Sequence, residues 1–392
     1  VSLPSRFELA LPGRILFAPG AVADAGGAAA ALLRSGAGRA FVVTGGEPSR
    51  IAGLLGSLEK AGVESILFPL SREPRFEDAR AATELARAEG CALVIGCGGG
   101  SVLDLAKAVA ALLANPGDPL EYAEVIGGGK VLEKPSYPCI AIPTTAGTGS
   151  EATRNAVLLS SDKGVKVSLR SPTMLPSLAI VDPELCYSLP GRATADTGMD
   201  ALTQLLEPLV CCAPNPFVDA ICREALPRAI KALPRAYRDG RDAEARADMS
   251  FASLSGGIAL ANARLGAVHG IAGPLGGAFP VPHGAACAAL LAPACEINVR
   301  ALRARAPESP VLQRYAEIAS AFAGSPSASA EDLGPALRAF ASRLEVRPLS
   351  ALGVERDNFS DLVTKALSAS SMRGNPITLL CEEVEEILTK AG

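Results

Sequence analysis

The chain has 392 residues, 49% of them apolar, with 37 basic against 41 acidic side chains and a net charge of −4. That length exceeds what one hydrophobic core organises and points to two domains. Interspersed charge gives no basic stripe for nucleic acid, no apolar run approaches the roughly 20 residues that cross a bilayer, and the opening Val1-Ser-Leu-Pro-Ser-Arg6 has no signal profile. The expectation is a cytoplasmic protein with no nucleic-acid and no membrane partner.

Residues 1–186 read as alternating short strands and helices. Ala40-Phe-Val-Val-Thr44 is a β-branched and aromatic run closed by Gly45-Gly46, and Ile66-Leu-Phe68 is another. Helical periodicity fills 51–62 and 76–89. Then come Ala92-Leu-Val-Ile-Gly96, a glycine cluster, a helix over 103–113, and the strands Ile140-Ala-Ile-Pro143 and Leu178-Ala-Ile-Val181. Strand, glycine turn and helix in repetition predict a parallel α/β sheet. From about residue 190 long alanine- and leucine-rich stretches with helical spacing take over, so 187–392 reads as an all-helical domain, with the boundary near Cys186–Pro190.

Ten cysteines are scattered, and the close groupings, Cys91 with Cys97 and Cys211 beside Cys212, lack CxxC spacing. They read as buried thiols of a reducing compartment, not as a structural metal site. The two histidines of the chain, His269 and His283, fall in one short stretch. Singly each reads as a neutral imidazole on a loop or helix surface; together they suggest a site, because histidine is the commonest metal ligand and a frequent proton carrier.

Three segments could share that site. Gly96-Cys-Gly98-Gly99-Gly100-Ser101-Val-Leu-Asp104-Leu-Ala-Lys107 follows a predicted strand and opens a predicted helix, where backbone N–H groups and the helix dipole favour a pyrophosphate. It lacks the GxGxxG spacing, and the alternative is a tight turn capped by Ser101 or Asp104. Pro143-Thr144-Thr145-Ala-Gly-Thr148-Gly-Ser-Glu151 places small hydroxyls between glycines, suited to phosphate or ribose oxygens, or to a capping box of Thr148 with Glu151, or to both. Asp200 and Gln204, four residues apart on a predicted helix with Glu207 on the adjoining face, either converge on one ion or form a solvated polar stripe.

In order along nearly the whole chain, these segments resemble the iron-containing (group III) alcohol dehydrogenase family. The resemblance is carried by Gly98-Gly-Gly-Ser-Val-Leu-Asp-Leu-Ala-Lys107, Pro143-Thr-Thr-Ala-Gly-Thr-Gly-Ser-Glu151, Ala179-Ile-Val-Asp-Pro-Glu-Leu185 and Gly198-Met-Asp-Ala-Leu202. Ala261-Asn-Ala-Arg-Leu-Gly-Ala-Val-His269, Pro282-His-Gly284 and Asn375-Pro376 continue it. It implies a Rossmann-like dinucleotide-binding α/β domain followed by an all-α domain, an architecture shared with dehydroquinate synthase, with nicotinamide and a divalent metal held in the cleft between them.

The family's four metal ligands map onto Asp200, Gln204, His269 and His283. Gln204 departs from the family's histidine: an amide oxygen is a weaker donor, yet it completes an O,O,N,N shell around Fe²⁺, Zn²⁺ or Mn²⁺. Gly273 departs too, where many members carry a histidine that relays a proton; water, a ribose hydroxyl or the threonines would serve instead. The resemblance places Gly98, Gly99, Gly100, Ser101 and Asp104 around the pyrophosphate and nicotinamide, Thr144, Thr145 and Thr148 on the rest of the dinucleotide, Lys166 near the ribose, and Leu185 and Thr44-Gly45 along the cofactor. An acid that many members carry directly after the threonine is absent at Gly45, which admits NADP beside NAD, unless Glu47 reaches round to exclude the 2′-phosphate.

The implied activity is hydride transfer between a small-molecule alcohol or aldehyde and NAD or NADP, with the metal as Lewis acid, Asp104, His269 and His283 in catalytic positions, and a homodimer as the assembly. Alternatives are a maleylacetate reductase-like enzyme that needs no metal, which the eroded ligand set and Leu275-Gly-Gly-Ala-Phe279 fit loosely, and a nucleotide-binding protein that has lost catalysis, suggested by the two absent histidines. A lyase like dehydroquinate synthase would need a basic phosphate-binding site and other ligand spacing, and the sequence offers neither.

Overall fold

The computed structural model describes residues 7–33, 38–46, 48–124 and 126–392; the Glu47 expectation lies outside them. Two compact units emerge, one of Ala10–Thr145 with Gly149–Ser188, the other of residues 7–9, Ala146–Thr148 and Leu189–Gly392.

In the first unit the elements run β1 (Ile15–Phe17), α1 (Ala25–Leu32), β2 (Arg39–Thr44), α2 (Ala52–Lys60), β3 (Ser65–Pro69), α3 (Phe76–Ala88), β4 (Cys91–Gly98), α4 (Gly100–Ala114), β5 (Cys139–Pro143), β6 (Asn155–Ser160), β7 (Val165–Arg170) and β8 (Leu178–Val181). Six strands form a parallel sheet in the order β1-β8-β5-β4-β2-β3. The strands read as unbroken apolar runs because both faces are covered. Phe41, Val43 and Val94 pack with α3 and α4 on one face, while Ala40, Val42, Leu93 and Ile95 pack with α1 and α2 on the other.

The strand order reverses between β2 and β4, and at such a switch point the helices leaving neighbouring strands diverge and open a crevice at the carboxyl edge. Pairing of Thr44 with Cys97 and of Gly98 with Pro143 brings three strand ends level at that edge.

Two elements depart from the expected run of parallel strands. β6 and β7 form an antiparallel hairpin outside the main sheet. Its strand β6 buries every second residue, the alternation of a strand with one covered face, and Gly164 at φ +60° closes the turn. The three-residue β1 pairs with β8 at the sheet edge.

The second unit carries α5 (Gly191–Val210), α6 (Pro216–Arg238), α7 (Ala243–Asn262), α8 (Ala267–Ala278), α9 (His283–Arg305), α10 (Val311–Ala323), α11 (Leu333–Arg343), α12 (Phe359–Ser368) and α13 (Cys381–Ala391). No strand occurs in it among the described residues. α9 is long and apolar enough to cross a membrane by length and composition only, with Glu296, Arg300, Arg303 and Arg305 interrupting it; 83% of its most apolar window is buried in the fold, and α5, α8, α11 and α13 pack against it.

Candidate metal and dinucleotide sites

In the helical unit, Asp200, Gln204 and Glu207 share one face of α5, and all three are buried, so the solvated-stripe alternative does not hold. His269 is the third residue of α8 and His283 the first of α9. Pro282 sets the extended backbone from which α9 starts, and Gly284 lets that first turn press on α5: a Cβ there would lie 2.4 Å from the Asp196 carbonyl oxygen. The Pro-His-Gly motif thereby delivers His283 to within one helical turn of Asp200.

Glu207 does two jobs. One oxygen accepts the backbone N–H of Val268 at 2.7 Å, and the other binds His269 Nδ1 at 2.6 Å. Asn375 Oδ1 accepts the neighbouring N–H of Ala267 at 3.1 Å and is itself braced by Asn298. These side chains from elsewhere satisfy the first N–H groups of α8, whose N-cap, Gly266, has none to offer. With its Nδ1 proton given to Glu207, a neutral His269 presents Nε2 as a lone pair.

That nitrogen faces Asp200 Oδ1 at 3.3 Å, and His283 Nε2 lies 3.8 Å from the same oxygen. Asp200 Oδ1 is buried and accepts no hydrogen bond of proper geometry, although the imidazole is close. A buried carboxylate oxygen and two imidazole nitrogens this close are held together by positive charge, carried by protons on the imidazoles in the metal-free protein and replaceable there by a metal ion. Cys287, one turn beyond His283 on α9, brings Sγ to 3.7 Å from His283 Nε2 and 4.0 Å from His269 Nε2. The donor atoms of Asp200, His269, His283 and Cys287 all lie within 4.8 Å of one another, a set that fits a divalent metal. Gln204 donates Nε2 to the Gly147 carbonyl at 3.0 Å.

Electrostatics agree with a cationic environment at Asp200. Burial opposes its charge, but His283 and His269 hold the carboxyl below the usual range. Burial likewise opposes charge on His269, yet Cys287, Glu207 and Asp200 carry it well above the ordinary histidine value. His283, 36% exposed, is raised chiefly by Cys287, against the effect of burial.

In the sheet unit, the residues expected at a dinucleotide gather at the carboxyl edge. Gly98 ends β4, and its carbonyl accepts the Thr144 N–H at 2.9 Å. A Cβ on Gly98 would stand 2.7 Å from Val102, so only glycine allows α4 to start this close to the strand. Gly99 is the N-cap of α4 and supplies no side chain, which leaves the N–H groups of the first turn free of the Ser101 or Asp104 cap weighed above. Gly100 and Ser101 are the first residues of the helix, Thr145 packs beside Gly99, and Thr44 and Gly45 end β2 across the switch point. The Thr44 hydroxyl is buried without a hydrogen-bond partner among the described residues, and Leu185, after β8, packs against the core.

Asp104 is heavily engaged: it accepts from Ser150 Oγ at 2.5 Å, from the Val157 N–H at 2.9 Å, and pairs with Lys107 at 3.1 Å. It ties α4 to the β6–β7 hairpin. Lys166, on β7, pairs with Glu73 at 2.6 Å. The turn after Thr148 begins at Gly149 in the left-handed region with no side-chain cap, so Thr148 is not the N-cap of a capping box. Ala146–Thr148 clusters with the helical unit, and Gly273 lies one turn past His269 with open space at its Cβ position.

Cys287 is the residue that sequence spacing did not single out. Its signal is the interval from His283 on a helix, four residues, which puts both side chains on one face. Glu207 was visible as a neighbour of Asp200 but not as the partner of His269.

Comparison with known proteins gives concordant results. The model of iron-containing alcohol dehydrogenase matches residues 12–183, and that of the Fe-containing alcohol dehydrogenase family, C-terminal, matches 194–392. Alcohol dehydrogenase 4 of Saccharomyces cerevisiae is 33% identical over 336 residues, 85% of this chain and 85% of that protein. A crystal structure of 1,3-propanediol oxidoreductase matches with a TM-score of 0.91 at 31% identity, over 99% of this chain and 100% of that one. Sulfoacetaldehyde reductase of Bifidobacterium kashiwanohense, solved in complex with NAD⁺, matches with a TM-score of 0.85 at 29% identity, over 98% of each chain. Motif order, sheet topology and helical unit together define an oxidoreductase that interconverts alcohols and aldehydes. The chain belongs to the iron-containing alcohol dehydrogenase family.

Proposed function

We propose that the protein is an NAD(P)-dependent alcohol dehydrogenase assisted by a divalent metal, acting on small-molecule alcohols and aldehydes or ketones. The observation that carries this reading is the buried meeting of Asp200 Oδ1 with the Nε2 atoms of His269 and His283, with Glu207 fixing the His269 tautomer. When bound, the metal polarises the substrate oxygen and the nicotinamide gives or takes the hydride.

The chain's own contribution is placement. Asp200 supplies the anionic donor and the two histidines neutral ones. Glu207 retains the proton at His269 Nδ1, so that Nε2 stays a lone pair while the chemistry proceeds. In the sheet unit the first turn of α4, from Gly98 through Ser101, offers backbone N–H groups to a pyrophosphate. Thr144, Thr145 and Thr148, with Thr44, Gly45, Lys166 and Leu185, complete the proposed dinucleotide contacts. Asp104 acts as a positioning residue, holding Ser150 and the hairpin against α4. NAD⁺ in the sulfoacetaldehyde reductase structure supports a nicotinamide cofactor, and Gly45 admits NADP as well. Ten free cysteines, eight of them buried, suit a reducing cytoplasm, and we assign the assembly as a homodimer.

Elemental analysis of protein purified without chelator, beside steady-state kinetics of His269→Ala, tests the proposal. We expect near-stoichiometric divalent metal in the parent chain. In the variant we expect loss of that metal and a fall in kcat/KM of about 10³-fold, the equivalent of several kcal/mol of charge stabilisation. Turnover that survives His269→Ala unchanged would remove the metal from the mechanism.

A further inference from the structure

We infer that the fourth protein ligand of this metal centre is the thiolate of Cys287, not the amide of Gln204, and that the centre is built for Zn²⁺ or a similarly soft divalent ion. The inference rests on the metal-assisted reading and specifies its donor set. Three independent observations on the structure carry it.

The first is geometry. Zinc–nitrogen and zinc–oxygen bonds of about 2.0–2.1 Å and a zinc–sulfur bond of about 2.3 Å give a tetrahedron whose edges are about 3.3 Å between light donors and about 3.6 Å from sulfur to nitrogen. The separations here are 3.3 Å and 3.8 Å from Asp200 to the two imidazoles, and 3.7 Å and 4.0 Å from Cys287 to them. The cluster stands slightly open of the bound dimensions, with no side chain misdirected.

The second is the fate of Gln204. Its amide nitrogen donates to the Gly147 carbonyl at 3.0 Å, which makes the side chain a brace between α5 and the 146–148 segment and leaves Oε1, a neutral and weaker donor than a thiolate, as the one atom it could offer a metal. Cys287, by contrast, is fully buried on α9 and brings its sulfur against the two imidazoles and Asp200.

The third is charge. Asp200, Cys287 as thiolate, and two neutral imidazoles around a dication give a centre with no net charge, whereas Gln204 in place of the thiolate leaves one positive charge. Asp200, His269 and Cys287 are all buried, and a neutral centre avoids the large cost of an uncompensated buried charge. Each donor sheds its proton as its bond to the metal forms: the Cys287 S–H bond breaks as the sulfur–metal bond forms, any proton on an imidazole Nε2 is likewise displaced, and the protons leave to solvent. A thiolate donor favours zinc over harder ions such as Mg²⁺ or Mn²⁺.

X-ray absorption at the zinc edge, on full-length protein loaded with one equivalent of Zn²⁺, reads the donor set directly and needs no turnover. We expect one sulfur at about 2.3 Å beside nitrogen and oxygen donors in the parent chain and in Gln204→Ala, and loss of the sulfur in Cys287→Ser. Zinc affinity should fall in Cys287→Ser by more than the roughly 10–100-fold that loss of an orienting group costs, and much less in Gln204→Ala. Bound zinc with nitrogen and oxygen donors alone in the parent chain overturns the Cys287 assignment and leaves the metal-assisted reading intact. Failure of the parent chain to bind zinc or any other divalent ion overturns both. If Cys287→Ser does not fold, the parent and Gln204→Ala spectra still decide the question.

Discussion

Glu151 in the sheet unit and Asp200 in the helical unit are buried alike, at 1% and 2% exposure, and each has a carboxylate oxygen without a hydrogen-bond donor, yet they ionise in opposite directions. Desolvation pushes Glu151 up to about 7; only its own backbone N–H and the charge of Lys107 oppose it. That lysine is already committed to Thr153, Asn155 and Asp104. Asp200 suffers the same desolvation but faces His283, His269 and Cys287, and its carboxyl is held low. Burial therefore does not decide the state of a carboxyl here; the groups arranged around it do. A buried carboxylate kept ionised by two imidazoles that carry positive charge belongs to a cation site, whereas one driven toward neutrality belongs to the packing.

The contrast predicts that neutralising the two carboxyls has opposite consequences, and the larger effect on stability belongs to Glu151. In the unfolded chain it titrates near 4.5 and in the folded chain near 7. Below pH 4.5 both states are protonated and no penalty exists. The penalty grows as pH rises from 4.5 to 7 and is complete above 7, where a difference of that size corresponds to about 3 kcal/mol. Glu151→Gln should therefore stabilise the protein at pH 8 by up to about 3 kcal/mol and leave it nearly unchanged at pH 4.5. Urea denaturation of parent and variant across that range measures it. A parent chain equally stable against the variant at both pH values would mean that Glu151 is ionised and paired in solution.

Glu207 provides the corresponding test in the helical unit. Glu207→Gln keeps an oxygen for the Val268 N–H but presents an amide donor to His269 Nδ1, which drives the proton to Nε2 and blocks the lone pair. Zinc affinity, followed by competition with a chelating dye, should fall by roughly 10–100-fold with secondary structure unchanged. Unchanged affinity would reduce Glu207 to a cap for α8 and weaken the claim that this cluster is organised around an ion.

How much of this could be read in advance depended on how local the cause was. The parallel strands β2, β4 and β5 are legible because covering both faces makes them uninterrupted apolar runs. The hairpin carries a mixed signal: β7, Val165-Lys-Val-Ser-Leu-Arg170, alternates apolar and polar residues, which a search for continuous runs passes over, while β6 holds only the four-residue run Ala156–Leu159. Asp200, His269 and His283 are legible as residue types in a family order. Cys287 is not, because the rules for paired cysteines look for CxxC, while its partner is a histidine one helical turn away. Least legible are long-range pairings: Ser150 and Val157 reach Asp104 from 46 and 53 residues away, and no spacing rule foretells that they engage the carboxylate expected at the nicotinamide. The same holds for Glu207, whose two acceptors serve groups more than 60 residues distant.

The smallest expected effect tests the sheet edge at the end of β2, where the proposed site offers open backbone at Gly45. Gly45 closes β2 beside the switch point, its φ lies outside the left-handed region, and a Cβ there meets no heavy atom within 4 Å. Gly45→Asp should thus be tolerated by the fold, unlike a Cβ on Gly98, which would collide with Val102. The new carboxylate should accept from a ribose 2′-hydroxyl and repel a 2′-phosphate. The ratio of kcat/KM for NAD over NADP is expected to rise by about tenfold, which corresponds to about 1.4 kcal/mol. An unchanged ratio would take the β2 end out of the dinucleotide site and leave the α4 turn to hold the cofactor. A rise would establish that the sheet edge gains specificity from a side chain added to open backbone, whereas the helical cluster loses function with each donor removed.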